Sequence, residues 1–163
     1  MIFTTKAEYG VRLLVELGRQ SQRHPVSLKA IAEAEGLPLA YLERIVALLK
    51  RAGLVESTRG AHGGYRLARG PAAIAMDEVV LALEGTVAPM ECFVDDRAGG
   101  GRVLCSHHDD EGRGCATKLL WTRVQAGVLK TLGQTTLAEL VDFDARQRPR
   151  ERADATATAT TAA

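Results

Sequence analysis

Three cysteines are the residues of this 163-residue chain whose type and placement most clearly indicate chemistry. Cys92, Cys105 and Cys115 all lie in one polar, glycine-rich window that also contains His107 and His108. Cysteine is among the most frequently buried residue types, so its confinement to such a window argues against core packing. Thiolates and imidazoles bind soft and borderline metals, and thiols also undergo reversible oxidation. The window therefore predicts a metal or redox site.

The distribution of charge separates this window from the amino-terminal half of the chain. The formal net charge is +1, yet residues 1–70 contain eleven Lys and Arg against six Asp and Glu. Residues 71–114 contain three basic residues against nine acidic ones. A basic segment favours a polyanionic partner, because each phosphate contact releases condensed counterions. We therefore expect the amino-terminal half to contact nucleic acid.

The length of the chain and the pattern of its first residues limit the class of protein that it can be. The chain has the length of one domain with an appendage. It contains no run of eighteen apolar residues, and residues 1–6 lack the basic-then-apolar pattern of a signal peptide. We expect a cytoplasmic protein that has no contact with a membrane. In a reducing compartment, an odd number of cysteines favours ligands or redox sensors over a disulfide framework.

The elements that must position these residues follow from apolar periodicity and capping signals. A first helix is predicted over residues 7–20, with Thr5 as its cap and Glu8 completing a capping box. Ser27 is the predicted cap of a second helix, which ends where Gly36 breaks the chain. Two short helices joined by a glycine-containing turn indicate a helix-turn-helix.

A third helix and a hairpin complete this amino-terminal unit. The third helix is predicted over residues 38–52, and residues 54–68 alternate apolar and polar residues around a glycine-rich tip. A helix-turn-helix followed by a basic hairpin is a winged helix. The predicted fold class is therefore mainly α with a small β wing.

The carboxyl-terminal part is predicted to be a long helix with more apolar surface than one small domain can cover. Residues 115–132 place apolar residues at four-residue steps, and Leu119, Trp121 and Leu129 lie outside that stripe. A partner helix from a second subunit would cover this surface, which predicts a two-fold homodimer on a palindromic DNA site. The alternative is a helix folded back on its own domain. A short closing helix is predicted over residues 137–141. The predicted organisation is a DNA-binding domain at 1–85, a cysteine-containing loop at 86–114, a dimerisation helix and the closing helix at 115–143, and a disordered tail at 144–163.

Several segments of the chain together resemble a known family, the Rrf2 family of bacterial winged-helix regulators. This family includes IscR-, NsrR- and RirA-like iron–sulfur sensors. The similarity extends from residue 1 to about residue 143. It rests on residues 4–12 of the first helix, 41–43 and 48–55 of the recognition helix, Arg59-Gly60 and Gly63-Gly64-Tyr65 of the wing, Cys115 with Leu120-Trp121, and residues 136–140. The resemblance implies a homodimeric repressor or dual regulator whose DNA affinity follows the state of a bound iron–sulfur cluster.

The resemblance also implies the ligands of that cluster. In the family, three cysteines of the loop bind a [2Fe–2S] or [4Fe–4S] cluster. IscR-like members add a histidine three residues after the last cysteine, where this chain has Lys118. NsrR-like members use a carboxylate on the first helix of the partner subunit, and Glu8 stands at that position. The expected ligands are Cys92, Cys105 and Cys115, completed by Glu8 or, ranked second, by His107 or His108.

The cysteine spacing is wider than in the better-known members of the family. Twelve residues separate Cys92 from Cys105, and nine separate Cys105 from Cys115. We trust Cys105 and Cys115 most as ligands, because they flank the histidines and adjoin the long helix. Cys92 is the cysteine most readily spared. This looser arrangement favours [2Fe–2S] over [4Fe–4S].

The recognition helix and wing are expected to contact DNA. Glu43 can accept a hydrogen bond from a cytosine amino group, whereas Arg44, Lys50 and Arg51 suit phosphates. The resemblance adds base contacts for Glu43 and for Arg59, and it shows Ala40 in place of a family serine. For Tyr41 and Tyr65 two interpretations stay open: each contacts DNA, or each packs in the core. The full set of expected DNA-contacting residues is Tyr41, Glu43, Arg44, Lys50, Arg51, Arg59, Gly60, Gly63, Gly64 and Arg66.

Three other interpretations of the cysteine window stay open. Three cysteines and one histidine could hold zinc as a structural site. The cysteines could instead form a metal-free thiol switch that makes a reversible disulfide. The third is an enzyme with Cys115 as nucleophile beside His107 or His108. It is disfavoured, because no phosphate loop or second catalytic signature accompanies these residues.

Overall fold

A computed structural model describes residues 3–20, 24–60, 62–89 and 116–147 of the chain. The element order is α1 (Thr5–Arg19), α2 (Leu28–Glu35), α3 (Leu39–Arg51), β1 (Val55–Thr58), β2 (Gly64–Leu67), a 3-10 helix (Pro71–Ala73), α4 (Met76–Glu84), α5 (Thr117–Gln134) and α6 over residues 137–147. The expectations for Cys92, Cys105, Cys115, His107 and His108 lie outside the described residues.

The predicted amino-terminal helices form, with one correction at the first cap. Thr4, and not Thr5, caps α1: its hydroxyl accepts a hydrogen bond from the backbone N–H of Lys6 at 3.2 Å. Glu8 therefore stands four residues beyond the cap and does not complete a capping box, which needs a spacing of three. Ser27 caps α2 as predicted, since its hydroxyl accepts a backbone N–H of the first turn.

The helix-turn-helix and wing are also present as predicted. Gly36 ends α2 at a φ of +63°, a left-handed conformation that glycine adopts without steric cost, and α3 follows directly. Strands β1 and β2 pair antiparallel, with Val55 opposite Leu67. The hairpin is anchored a second time, because Val26 and Tyr65 exchange two backbone hydrogen bonds of 2.8 Å. The wing is therefore attached both to the segment before α2 and to the end of α3.

One apolar core joins the winged helix to the carboxyl-terminal segment. The largest side chains that are fully buried are Leu13, Leu14, Leu17, Ile31, Leu42, Ile45, Leu49, Leu54, Val55, Ile74, Val79 and Leu137. Leu137, at the start of α6, reaches this core because its N–H donates to the carbonyl of Ile74 at 2.9 Å. Full burial of such a side chain stabilises the fold by about 1.5–3 kcal/mol.

Helix α5 contributes no buried residue to the core, and α6 is longer than the sequence predicted. None of the 18 residues of α5 is buried, and Leu119 and Leu120 are 62% and 55% exposed. Helix α6 runs to residue 147, beyond the short helix predicted to end at 141 and the domain boundary predicted at 143. No helix in the described ranges is long and apolar enough to cross a membrane.

Candidate nucleic-acid interface and sensor site

Helix α3 presents one side to the core and the other to solvent. Leu42, Ile45, Val46 and Leu49 are buried, whereas residues 39, 40, 43, 44, 47, 50 and 51 are exposed. Positions three and four apart share a helix face, so the exposed residues form one continuous surface along the helix. We call this surface the outer face of α3.

The charged residues predicted to contact DNA on α3 all lie on this outer face. Glu43, Arg44 and Arg51 are exposed, and they make no ion pair or side-chain hydrogen bond within the described ranges. Lys50 is different, because its ammonium donates to the Ser57 hydroxyl at 2.6 Å. That bond connects the end of α3 to β1, so the recognition helix and the wing present their cations side by side.

The wing holds the two remaining predicted arginines in different states. Arg59 is exposed in the turn after β1 and has no ion pair among the residues described. Arg66 is paired with Glu56 on the neighbouring strand, at 2.9 Å from Nη2 to Oε2. The free guanidinium of Arg59 therefore suits a DNA contact better than that of Arg66.

The three wing glycines are placed where side chains do not fit or are strained. Gly60 has a φ of +113°. A Cβ on Gly63 would lie 2.4 Å from the Thr58 carbonyl oxygen, and one on Gly64 would lie 2.4 Å from that of Val26. These glycines shape the backbone of the wing, and any DNA contact they make uses main-chain atoms.

Tyr41 and Tyr65 occupy partly buried positions. The ring of Tyr41 packs edge-to-face on that of Tyr9, with centroids 5.7 Å apart and planes at 89°. Tyr65 packs against the core from β2. Both placements correspond to the core alternative that the sequence left open.

The predicted cluster ligand Glu8 lies at an open cavity between helices. Its carboxylate is exposed, and it has no hydrogen-bond or ion-pair partner in the described part of the chain. The cavity measures about 440 Å³, and its walls are mostly apolar. The lining residues are Phe3, Thr4, Thr5, Ala7, Glu8, Val11, Val80 and Leu132. The carboxylate thus stands at an unfilled apolar space bordered by α1, α4 and α5.

The described residues cannot hold a metal by themselves. Among them, no three His, Cys, Asp or Glu side chains group closely enough to do so. Glu8 fits as one oxygen ligand, and residues 90–115 would have to supply the others. The chain enters that window beside α5, since the Val87 carbonyl accepts a hydrogen bond from Gln125 at 2.7 Å. After the window the described chain resumes at Ala116, directly before α5, so Val87 and Ala116 both lie along the first half of this helix.

A contact that the sequence analysis did not predict ties α1 to the entrance of the cysteine window. The hydroxyl of Thr4 donates to Glu84 at 2.6 Å, and the Lys6 ammonium lies 3.7 Å from the same carboxylate. Glu84 is the last residue of α4. No local signal could have shown this contact, because eighty residues separate Thr4 from Glu84. We call these three residues the α1–α4 clasp.

Comparison with known proteins gives one family. Residues 3–143 are similar to the family model of Rrf2, described as an iron-dependent transcriptional regulator. The transcriptional regulator IscR of Vibrio atlanticus is 35% identical over 141 residues, which are 86% of this chain and 75% of that protein. The matched family and this relative are transcriptional regulators and not enzymes.

Solved structures of similar proteins agree with this result. The structure of CymR (YrzC), the global cysteine regulator of B. subtilis, is 34% identical with a TM-score of 0.69, covering 88% of this chain and 98% of that one. The oxidized form of Staphylococcus aureus CymR is 33% identical with a TM-score of 0.64, covering 86% of this chain and 96% of that one.

Proposed function

The chain belongs to the Rrf2 family of winged-helix transcriptional regulators, and we propose that it is a cytoplasmic, homodimeric repressor whose DNA affinity follows the state of an iron–sulfur cluster. The observation that carries the sensing half of this proposal is the exposed carboxylate of Glu8, which has no polar partner among the described residues and lies at an open, mostly apolar cavity. The DNA-binding half rests on the outer face of α3 beside the wing.

The proposed DNA surface combines a helix of suitable size with free cations. The major groove of B-DNA is about 12 Å wide and admits an α-helix. Arg44 and Arg51 on α3 and Arg59 in the wing are all exposed, and none is neutralised within the described ranges. Such cations suit contact with phosphates on either side of the groove, which position the protein without specifying a sequence.

The proposed homodimer follows from the uncovered surface of α5. A two-fold axis perpendicular to α5 would pair two copies of the helix antiparallel. An axis near Gly127, which is exposed and lies two turns from Leu120 on the same side of the helix, would let the two helices approach closely. Leu120 of one copy would then lie at about the level of Leu132 of the other, near the cavity that Glu8 borders.

The same pairing brings the proposed ligands of two subunits together. Within one chain, Leu132 lies about 24 Å along the helix axis from Ala116, where the cysteine window ends. Antiparallel pairing places the window's end in one copy beside Glu8 of the other. We therefore assign Glu8 to the partner's cluster, with the window's Cys105 and Cys115 as the principal thiolate ligands. When bound, a [2Fe–2S] cluster would supply a group that responds to oxidants and nitric oxide.

The chain's own contacts explain how loss of this ligation would reach the DNA surface. Glu8 lies in the first turn of α1, and the α1–α4 clasp fixes that turn to the end of α4. Helix α1 also packs on α3 through the edge-to-face pair of Tyr9 and Tyr41. A change in the position of α1 would therefore be transmitted to the recognition helix.

A metal-free thiol switch is the second candidate. The similarity to CymR, solved also in an oxidized form, favours it. In that case two cysteines of the window would form a disulfide, and Glu8 would have no role in sensing. A structural zinc site is the third possibility, and it predicts bound zinc with no visible absorbance.

Purification without oxygen distinguishes these candidates. We expect visible absorbance with iron and sulfide in equal amounts, about two of each per subunit for [2Fe–2S]. The protein should bind a duplex containing its palindromic site, and its affinity should change after cluster loss. Bound zinc, or a reversible disulfide with no bound metal, would overturn the cluster proposal and leave DNA binding intact.

Replacement of Glu8 tests the coupling. Glu8→Gln keeps the size of the side chain but removes the charged oxygen ligand. We expect this variant to fold and bind DNA, while its DNA affinity no longer changes with cluster loss. Glu139→Gln, at an exposed position of α6, is the control and should behave like the parent. A Glu8→Gln protein that still responds like the parent would show that Glu8 is not the link.

A further inference from the structure

The outer face of α3 has an apolar centre that the core does not use. Ala40 and Ala47 are both exposed, and they are two helical turns apart on one line of the helix. Leu39, in the first turn, is 39% exposed. A single exposed apolar residue needs no explanation. Three on the face that is proposed to enter the major groove do need one, because that face decides which bases are recognised.

The charges beside this apolar centre limit what it can touch. Glu43 projects from the same face, between the turns that carry Ala40 and Ala47. A carboxylate is repelled by the phosphate backbone, so this part of the helix must approach base edges instead. The donor that suits it in the major groove is the cytosine amino group. The apolar group displayed there is the C5-methyl of thymine, which alanine and larger apolar side chains contact.

Resting on the proposed DNA-binding function, we propose that the apolar centre of α3 recognises thymine methyl groups on either side of a cytosine. Leu39 and Ala40 contact one methyl, Glu43 accepts from the cytosine amino group, and Ala47 contacts a second methyl. Ala40 and Ala47 are about 10.5 Å apart along the helix. With 3.4 Å per base in each strand, the two thymines lie about three base pairs apart in each half-site.

Substitution of uracil for thymine tests this assignment, because uracil lacks only the methyl group. The probe is a duplex selected from a random-sequence pool by the anaerobically purified full-length protein. Each thymine of the half-site is then replaced singly by deoxyuridine, and the affinity is measured by fluorescence anisotropy. We expect two positions, about three base pairs apart, at which the parent loses affinity about three- to fivefold.

Variants identify the side chain that contacts each methyl. In Leu39→Ala the uracil penalty should become smaller at one of these positions, where Ala40 still contacts the methyl, and stay unchanged at the other. Ala47→Gly should give the opposite result, and urea unfolding measures its cost to helix stability separately. The control is Leu81→Ala, since Leu81 is 40% exposed on α4, outside the outer face of α3. It should retain both penalties.

The outcomes separate this inference from the function on which it rests. If the parent selects no duplex, the proposed DNA-binding function fails and the inference fails with it. If the parent binds a selected duplex but no uracil substitution weakens binding, only the inference is overturned. It is also overturned if the uracil penalties at both positions are unchanged in Leu39→Ala and in Ala47→Gly.

Discussion

At the scale of single residues, Arg59 and Arg66 show how local pairing decides what a cation can do. Both belong to the wing, yet Arg66 is bound to Glu56 at 2.9 Å and Arg59 has no ion pair in the described part of the chain. A paired guanidinium must give up its partner, or share it, before it binds a phosphate. The sequence placed both residues among the DNA contacts, and only the fold separates them.

Replacement of each arginine by alanine should reveal this difference. Arg59→Ala is expected to weaken duplex binding about tenfold and to reduce the slope of log affinity against log salt by about one, because one cationic contact is lost. Arg66→Ala should have a smaller effect, since Glu56 already offsets its charge. Anisotropy titrations between 50 and 200 mM salt measure both quantities.

Arg146→Ala is the control for this pair, because Arg146 is exposed on α6 and lies outside the α3 and wing surface. It should bind DNA like the parent. An Arg66→Ala protein that loses as much affinity as Arg59→Ala, with an equal change in salt slope, would contradict the distinction.

At the scale of elements, the wing depends on a close backbone contact. Val26 and Tyr65 exchange two hydrogen bonds of 2.8 Å, and this pairing leaves no room for a side chain at Gly64. The contact seats the hairpin against the segment that precedes α2. The wing is therefore oriented by backbone atoms as well as by the short turn that connects its strands.

Gly64→Ala should disturb this contact. Its Cβ would lie 2.4 Å from the Val26 carbonyl oxygen, so one strand must shift and the paired hydrogen bonds must lengthen. We expect the free energy of unfolding to fall by about 2 kcal/mol, as for other overpacked sites. The measurement is urea unfolding followed by circular dichroism, together with DNA affinity.

Gly70→Ala is the matched control, since a Cβ there meets no atom within 4 Å and the backbone φ of −59° suits any residue. It should leave stability unchanged or raise it by up to about 1 kcal/mol. Equal destabilisation by the two substitutions would show that the Val26 contact does not hold the wing.

The elements also show where sequence reasoning works and where it fails. Ser27, Gly36 and the hairpin were predicted because caps, turns and strand alternation are short-range signals. The prediction of Thr5 as the cap of α1 was wrong, because Thr4 and Thr5 are adjacent and both suit that role. Glu84, eighty residues away, accepts the Thr4 hydroxyl at 2.6 Å, which favours Thr4 as the cap. Local signals do not contain that information.

The length of α6 has a similar non-local cause. The sequence predicted a short helix ending at residue 141, followed from 144 by a tail. In the structure Asp144 forms an ion pair with Arg19 at 3.2 Å, and Val141 packs where Gly18 leaves space. These contacts with the end of α1 hold the helix to residue 147. For the sensor, the sequence supplied candidate ligands, but which of them converge depends on the path of residues 90–115.

At the scale of the whole molecule, α5 has apolar surface that the described part of a single chain does not cover. It contains 18 residues, none of them buried, and its amino-terminal leucines are more than half exposed. The cavity that borders Leu132 and Glu8 is likewise unfilled. Antiparallel pairing of two copies would satisfy both features with one contact, and it would present two recognition helices related by a two-fold axis.

Leu120→Glu tests this pairing, because a carboxylate near the cavity of the partner would lose its water and would face the carboxylate of Glu8. Leu120 is 55% exposed in the single chain, so the substitution should leave the helix content of each subunit unchanged, which far-ultraviolet circular dichroism measures. Sedimentation velocity at micromolar concentration should show a shift from dimer to monomer. Affinity for a palindromic duplex should fall at least tenfold, while affinity for a single half-site stays within about twofold of the parent.

Ala34→Glu serves as the control for the added charge, since Ala34 is exposed on α2 and lies outside α5. It should remain dimeric. If Leu120→Glu is also dimeric and binds the palindrome like the parent, α5 does not pair through its amino-terminal leucines. The assignment of Glu8 to the partner's cluster would then lose its geometric basis, because antiparallel pairing is what brings the end of one cysteine window beside the other subunit's α1.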